Sequence, residues 1–297
     1  MNWLLQGNAL LALAAAVLWG GGDFCGGMGV KHAGGTVGAA LRVVLLSHAM
    51  SLMVLLLAGR LRGDVFPHGA VLAWGIGAGV ANGLSLTCFY VALSRGAMGA
   101  SAAVSGLLAA AIPAVVSISK DGSPGMLRVA GFCLAGAAIW LIAAGPNAEA
   151  VAADTGTVWL AVVAGAGFGI YFVALKMAGS AGLVWPMATA RMGSLSACSL
   201  VLLGVLLTRR GTTGVGAARM TKAVVVWSMS TAMLDTSGNL LFIGATRAGR
   251  LDVAAVLASL YPASTILLAA WTLHEKPTRR QGLGMGVAAA AVAMITI

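Results

Sequence analysis

GPNAEAVAADTG, Gly145 to Gly156, interrupts the middle of this chain with Pro146, Asn147, Glu149 and Asp154 among otherwise apolar surroundings. A helix crossing a bilayer needs about 20 mainly apolar residues. Before the interval such runs occupy residues 8–30, 36–58, 70–93, 97–119 and 124–144; after it they occupy 157–178, 183–207, 223–246, 251–273 and 280–297. Five runs stand on each side. An odd number of spans makes the second set enter the membrane from the face opposite to the first, so two similar halves would be inverted copies. The expected fold class is an all-α polytopic membrane protein with ten transmembrane helices in two inverted five-helix repeats, residues 1–147 and 148–297.

Composition excludes the soluble alternatives. Of 297 residues, 60% are hydrophobic and only 9% charged, far from the usage of water-soluble domains. Ten spans consume roughly 200 positions, which leaves loops and no separate soluble domain. The net charge of +10, from 18 Lys and Arg against 8 Asp and Glu, is spread singly or in pairs between apolar runs. That is the pattern of juxtamembrane anchors facing a lipid bilayer. It lacks the continuous stripe that nucleic acid requires, so no nucleic-acid partner is expected. Cys25, Cys88, Cys133 and Cys198 lie in apolar stretches without a paired ligand motif, so neither a metal nor a cofactor is expected. The first apolar run lacks a positive flank and a cleavage site and reads as an uncleaved span.

The halves also repeat in detail. Trp19-Gly20 and Phe168-Gly169 stand 149 residues apart, as do Arg42 and Arg191, and Pro113 and Pro262. Between these anchors the register shifts by four, so that ALSRGAMG from Ala92 aligns with ATRAGRLD from Ala245 and Asn82 falls opposite Asp235. A constant offset across unrelated residue types is the signature of duplication. Inverted repeats suit alternating access, because two halves can rock about a site at the membrane midplane.

Three stretches carry a family resemblance: WGGGDFCGG from Trp19, ATRAGRLDVAAVLASLYP from Ala245, and LHEKPTRRQGLG from Leu273. The chain resembles an EamA-type transporter of the drug/metabolite transporter superfamily, over nearly its whole length and most strongly from Ala245 to Gly284. The first half departs from the pattern, with Ser119-Lys120-Asp121-Gly122-Ser123-Pro124 where the second has Leu273-His274-Glu275-Lys276-Pro277. The resemblance implies a secondary transporter, an exporter by analogy, in a bacterial inner membrane with both termini cytoplasmic. Charge bias does not orient the chain, because loops after even spans carry seven basic residues and loops after odd spans nine.

Charge within hydrocarbon costs about 2.5 to 3.5 kcal/mol on insertion scales and so marks a partner or a function. Counted at 1.5 Å per residue, Asp23 and Arg42 lie at similar depths, as do Arg191 and Asp235. Two ion pairs on opposite sides of the midplane are expected, as gates or as structural locks. Asp235, near the middle of its span, is also the expected proton carrier, ionising as Arg191 approaches and withdraws. The remaining substrate or coupling candidates are Trp19, Asn82, Tyr90, Tyr171, Trp185, Asn239 and Tyr261, with Trp19 beside a glycine run where the first helix is expected to open its backbone. His48 is a candidate relay but is expected to be a packed, hydrogen-bonded histidine. Gly75, Gly79 and Gly83 recur every four residues and predict close helix contact.

No nucleotide loop or hydrolase motif survives inspection. Gly282, Gly284 and Gly286 lie in a span with no strand before them, and Gly244 to Gly249 is followed by Arg250-Leu251 instead of Lys and Ser or Thr. The expected function is secondary transport of a small polar or amphipathic metabolite by alternating access, with protons as a candidate coupling ion. A lipid or lipid-linked head-group translocase is the alternative, and a membrane enzyme or non-transport scaffold the second. The partners expected are a small-molecule substrate and the bilayer.

Overall fold

A computed structural model describes residues 3–95, 98–143, 155–208, 220–272 and 278–296. Residues 145–154, with the expected boundary between the repeats, and the Leu273 to Pro277 motif lie outside the described residues. Those described form eleven α-helices: α1 (Trp3–His32), α2 (Val37–Arg62), α3 (Gly69–Ser94), α4 (Met98–Asp121), α5 (Met126–Ala143), α6 (Thr155–Ala178), α7 (Val184–Thr208), α8 (Lys222–Ala248), α9 (Leu251–Ala258), α10 (Tyr261–Thr272) and α11 (Arg279–Thr296). A single 3-10 turn at Gly179–Ala181 joins α6 to α7. The boundaries follow local chemistry. Thr36 caps α2 by accepting from the Ala39 amide, Thr221 caps α8 by accepting from Val224, and Gly63 closes α2 in a left-handed conformation.

Seven helical segments are long and apolar enough to cross a membrane: α1, α2, α3, α4, α6, α7 and the α9–α10 pair. α5 is apolar but shorter. α8 is diluted by Ser228, Thr231, Asp235, Thr236 and Asn239, all buried. The assembly is apolar at its surface, and its interior is an apolar core that encloses a few charged and polar groups. Leu57, Val115, Trp140, Trp159, Leu200 and Trp271 are each more than half exposed, whereas Arg191, His48 and Asp235 are buried. Water would penalise such a surface and lipid would not.

One span is interrupted and one expectation is corrected. The ninth span is broken at Ser259 and Leu260, where α9 ends and α10 begins. Pro262 lies in the first turn of α10; it has no N–H to continue the ladder, and its ring disfavours a continuous helix. The first helix, in contrast, does not open at its glycines: α1 runs unbroken from Trp3 to His32. Its glycines serve contact instead. A Cβ on Gly20 would overlap Ser264 and the Tyr261 carbonyl. The carbonyls of Gly20 and Gly22 accept hydrogen bonds from Thr265 (3.2 Å) and Thr231 (3.3 Å).

The packing pattern survives exchange of the halves. α1 packs on α8 as α6 packs on α3, and α2 packs on α8 as α7 packs on α3, while α2 against α7 and α5 against α11 exchange into themselves. The α3–α7 crossing uses the predicted glycine stripe. A Cβ on Gly79 would overlap the Ala190 carbonyl, and one on Gly193 would overlap the Ile76 carbonyl. Backbone thus lies against backbone, an approach that small residues alone permit. Gly79→Val should therefore destabilise the protein by at least about 2 kcal/mol, because the obstruction is main chain and cannot rotate aside. Thermal unfolding in detergent checks this, with Gly77→Val, where a Cβ meets nothing within 4 Å, as the tolerated control.

Candidate functional site

Four helices supply paired residues one turn apart to a single buried cavity. Trp19 and Asp23 come from α1, Asn82 and Leu86 from α3, Phe168 and Phe172 from α6, and Asp235 and Asn239 from α8; Tyr171 and Tyr261 complete the lining. Residues four apart on a helix share a face, so each helix turns one ridge inward. The pairs correspond between the halves. Phe168 and Phe172 follow Trp19 and Asp23 by 149 residues, and Asp235 and Asn239 follow Asn82 and Leu86 by 153. The cavity is thus built from equivalent positions with different chemistry. It offers about 30 Å³ to the centres of water molecules, enough for a few waters and too little for a metabolite.

Beside it runs a continuous chain of hydrogen bonds centred on Arg191, a fully buried arginine. Its Nη2 pairs with the Asp235 carboxylate and lies 3.4 Å from Thr236 Oγ1, its Nε donates to Ser51 Oγ at 3.0 Å, and its Nη1 meets His48 Nε2 at 2.8 Å. A guanidinium has no acceptor, so His48 Nε2 accepts; its proton sits on Nδ1, which donates to Ser194 Oγ at 2.6 Å. His48 is therefore a neutral, packed histidine in this arrangement. On the other side, Asn239 Nδ2 donates to Asp235 Oδ1 at 3.0 Å and to the Asp235 carbonyl at 2.7 Å, and Asn239 Oδ1 accepts from the Tyr171 hydroxyl at 2.6 Å. One arginine thereby ties α2, α7 and α8 together, and its counterion faces the cavity.

The second expected ion pair is absent. Asp23 faces the cavity and makes no hydrogen bond or ion pair among the described residues. Arg42 is half-buried near Gly38, away from the lining, and has no ion-pair partner among the described residues. The sequence offset of 153 shows where the expectation departs. Arg191 finds its carboxylate on the third helix of its own half, and the equivalent of Asp235 in the first half is the neutral Asn82. Equal depth alone does not set the direction in which two helices face.

Two aromatic candidates also lie elsewhere. Trp185 donates from Nε1 to the Asp64 carbonyl at 2.8 Å and packs edge-to-face on Phe66, pinning the α2–α3 connection to the start of α7. Tyr90 packs against α1 at Gly26, and its hydroxyl has no hydrogen-bond partner among the described residues. Of the sequence-based candidates, the cavity gathers Trp19, Asp23, Asn82, Tyr171, Asp235, Asn239 and Tyr261, with Arg191 directly behind Asp235.

Phe168, Phe172, Leu86, Ser51, Ser194 and Thr236 are the residues that polarity and charge did not single out. Phe172 and Leu86 were recoverable by carrying the offsets of 149 and 153 to Asp23 and Asn239. The hydroxyl residues carried no such signal. Removing Arg191 while Asp235 stays leaves an unpaired buried charge, which costs about 3 to 5 kcal/mol. Arg191→Met should accordingly lower thermal stability sharply and Arg191→Met with Asp235→Asn should recover part of the loss, whereas Arg42→Ala should cost about 1 kcal/mol or less. Unfolding midpoints of the purified variants distinguish the two arginines.

Residues 155–297 match the EamA-like transporter family. No curated protein matches the sequence. Among solved structures, a crystal structure of a protein aligns over 97% of this chain and 96% of its own, with a TM-score of 0.66 at 18% identity. At that identity the likeness shows a shared fold and nothing about cargo. Together with the membrane-length helices and lipid-compatible surface, the match of residues 155–297 to the EamA-like transporter family supports a multi-pass membrane protein.

Proposed function

We propose that the protein is a secondary transporter of a small polar or amphipathic metabolite, working by alternating access between two inverted five-helix repeats, residues 1–147 and 148–297. The observation that carries this reading is the cavity lined by equivalent residues of both halves. A site on the pseudo-symmetry axis is where opposite rocking of two halves exposes the same groups to each side in turn. The exchange-symmetric packing of α1 on α8 and α6 on α3 supports it. The cavity is too narrow for cargo as it stands, so the cycle requires it to widen toward one side. Family resemblance points to export across a bacterial inner membrane with cytoplasmic termini.

Within that cycle the two cavity carboxylates have different duties. Asp235 is neutralised by Arg191 and held by Asn239, so it organises the site. Asp23, without a cation, is the group free to exchange a proton or charged cargo, and we transfer to it the coupling role first expected of Asp235. The titratable groups whose fields reach it are Asp235, Tyr90, Tyr261 and Cys25.

The test needs no knowledge of the cargo. In a background with all four native cysteines replaced, Asn82→Cys should react with a small polar thiol reagent added from either face of sealed proteoliposomes. Reaction from one face alone would contradict alternating access. In the same background, Asn2→Cys and Asn147→Cys should label from opposite faces, whereas labelling from the same face would contradict inverted repeats.

A further inference from the structure

We infer that the cargo bound in this cavity is a monovalent organic ammonium ion with an apolar body, seated on Asp23 between aromatic walls. The inference rests on the transporter reading and names the chemistry of its site. Charge comes first. Asp23 and Asp235 face the same space, and one guanidinium, Arg191, balances one of the two carboxylates. His48 adds nothing, since its Nε2 accepts from Arg191 and the ring is neutral. With Asp23 ionised, one net negative charge remains, on a buried carboxylate without a hydrogen-bond donor among the described residues. Such a carboxylate is held either as the neutral acid or by a positive partner, so a bound cation takes the place of the proton.

The walls decide which cation. Trp19, Phe168, Tyr171, Phe172 and Tyr261 line the space, with Trp19 stacked on Phe172 at 5.0 Å and 4° between planes. Aromatic faces attract ammonium groups and accommodate apolar bodies. A hard metal ion instead needs six or more oxygen ligands, and the lining offers one free carboxylate amid rings. Trp19 Nε1 packs against Gly238 of α8, which leaves Asn82 Nδ2 as a lining donor without a partner among the described residues, so the ammonium ion can carry one neutral acceptor, such as a hydroxyl or carbonyl. An additional carboxylate on the cargo is disfavoured. It would enter a space lined by two carboxylates and by no cationic side chain among the described residues.

Four phenyl compounds of similar size and different charge test this on the intact protein: 2-phenylethylammonium, neutral 2-phenylethanol, anionic 3-phenylpropionate and zwitterionic phenylalanine. Isothermal titration in detergent should show the ammonium ion binding about tenfold or more tightly than each of the others, a difference worth about 1.4 kcal/mol. Asp23→Asn should bring its affinity down to that of the alcohol, and Asp23→Glu should restore most of it. Should Asp23→Asn not purify as a folded species, the charge series on the wild-type protein decides alone. Equal or tighter binding of the neutral, anionic or zwitterionic analogue overturns the inference, as does absence of ammonium binding at millimolar concentration. The ammonium site and the transport reading fail separately. Without ammonium binding, two-sided labelling of Asn82→Cys leaves a transporter of other cargo; with binding, one-sided labelling leaves a cation site that does not alternate.

Discussion

A charge buried in an apolar assembly has to be answered within the protein, and Arg191 is where this constraint acts most strongly. Five N–H donors on one planar group call for several acceptors at fixed angles. Asp235, Ser51, Thr236 and His48 provide them from α2 and α8. Because the acceptors sit on helices from both halves of the chain, satisfying one side chain fixes how those halves meet. The same constraint reaches the cavity, since Asp235 holds Asn239 and Asn239 holds Tyr171. Site geometry and helix packing are consequences of a single desolvated cation.

Around that centre the helices approach through glycine. Backbone contact between α3 and α7 at Gly79 and Gly193 brings Ser194 and Cys198 beneath Gly83 and sets the angle from which Arg191 reaches α2 and α8. Such contacts resist small adjustments, because close-packed backbone has no rotamers to change. A transport cycle built on this frame would proceed by movement of whole helical units, with changes concentrated at discontinuities. The break at Ser259 and Leu260 is one such discontinuity, and it carries Tyr261, whose hydroxyl bonds Ser105 on α4 at 2.7 Å.

The two halves share a frame and differ in charge. Position for position, the aspartate of α1 is answered by a phenylalanine in α6, and the aspartate of α8 by an asparagine in α3. The offset of 153 places the neutral Asn82 where Arg42 would need a carboxylate. The result is a cavity with one neutralised and one unneutralised carboxylate, a polarity that a symmetric dimer of identical halves would not have.

Much of this was legible in the linear sequence. Apolar run lengths separated ten segments because a bilayer imposes a minimum helix length; the described helix ends fall within a few residues of those runs, and seven segments are long and apolar enough to cross a membrane. The offsets of 149 and 153 connect residues that line one cavity. Rarity of charge in the spans drew attention to Asp23, Arg191 and Asp235, since buried charge is retained only where it is used or paired. What the sequence left undecided is which way each helix faces. Asp23 and Arg42 match in depth yet turn to different neighbours, Trp185 and Tyr90 look like cavity aromatics yet pack at other contacts, and the glycines of α1 serve contact without unwinding it. Rotation about a helix axis is fixed by the ridges and glycine gaps of partners distant in the chain, so the pairing of Arg191 and the solitude of Asp23 were decided by tertiary packing.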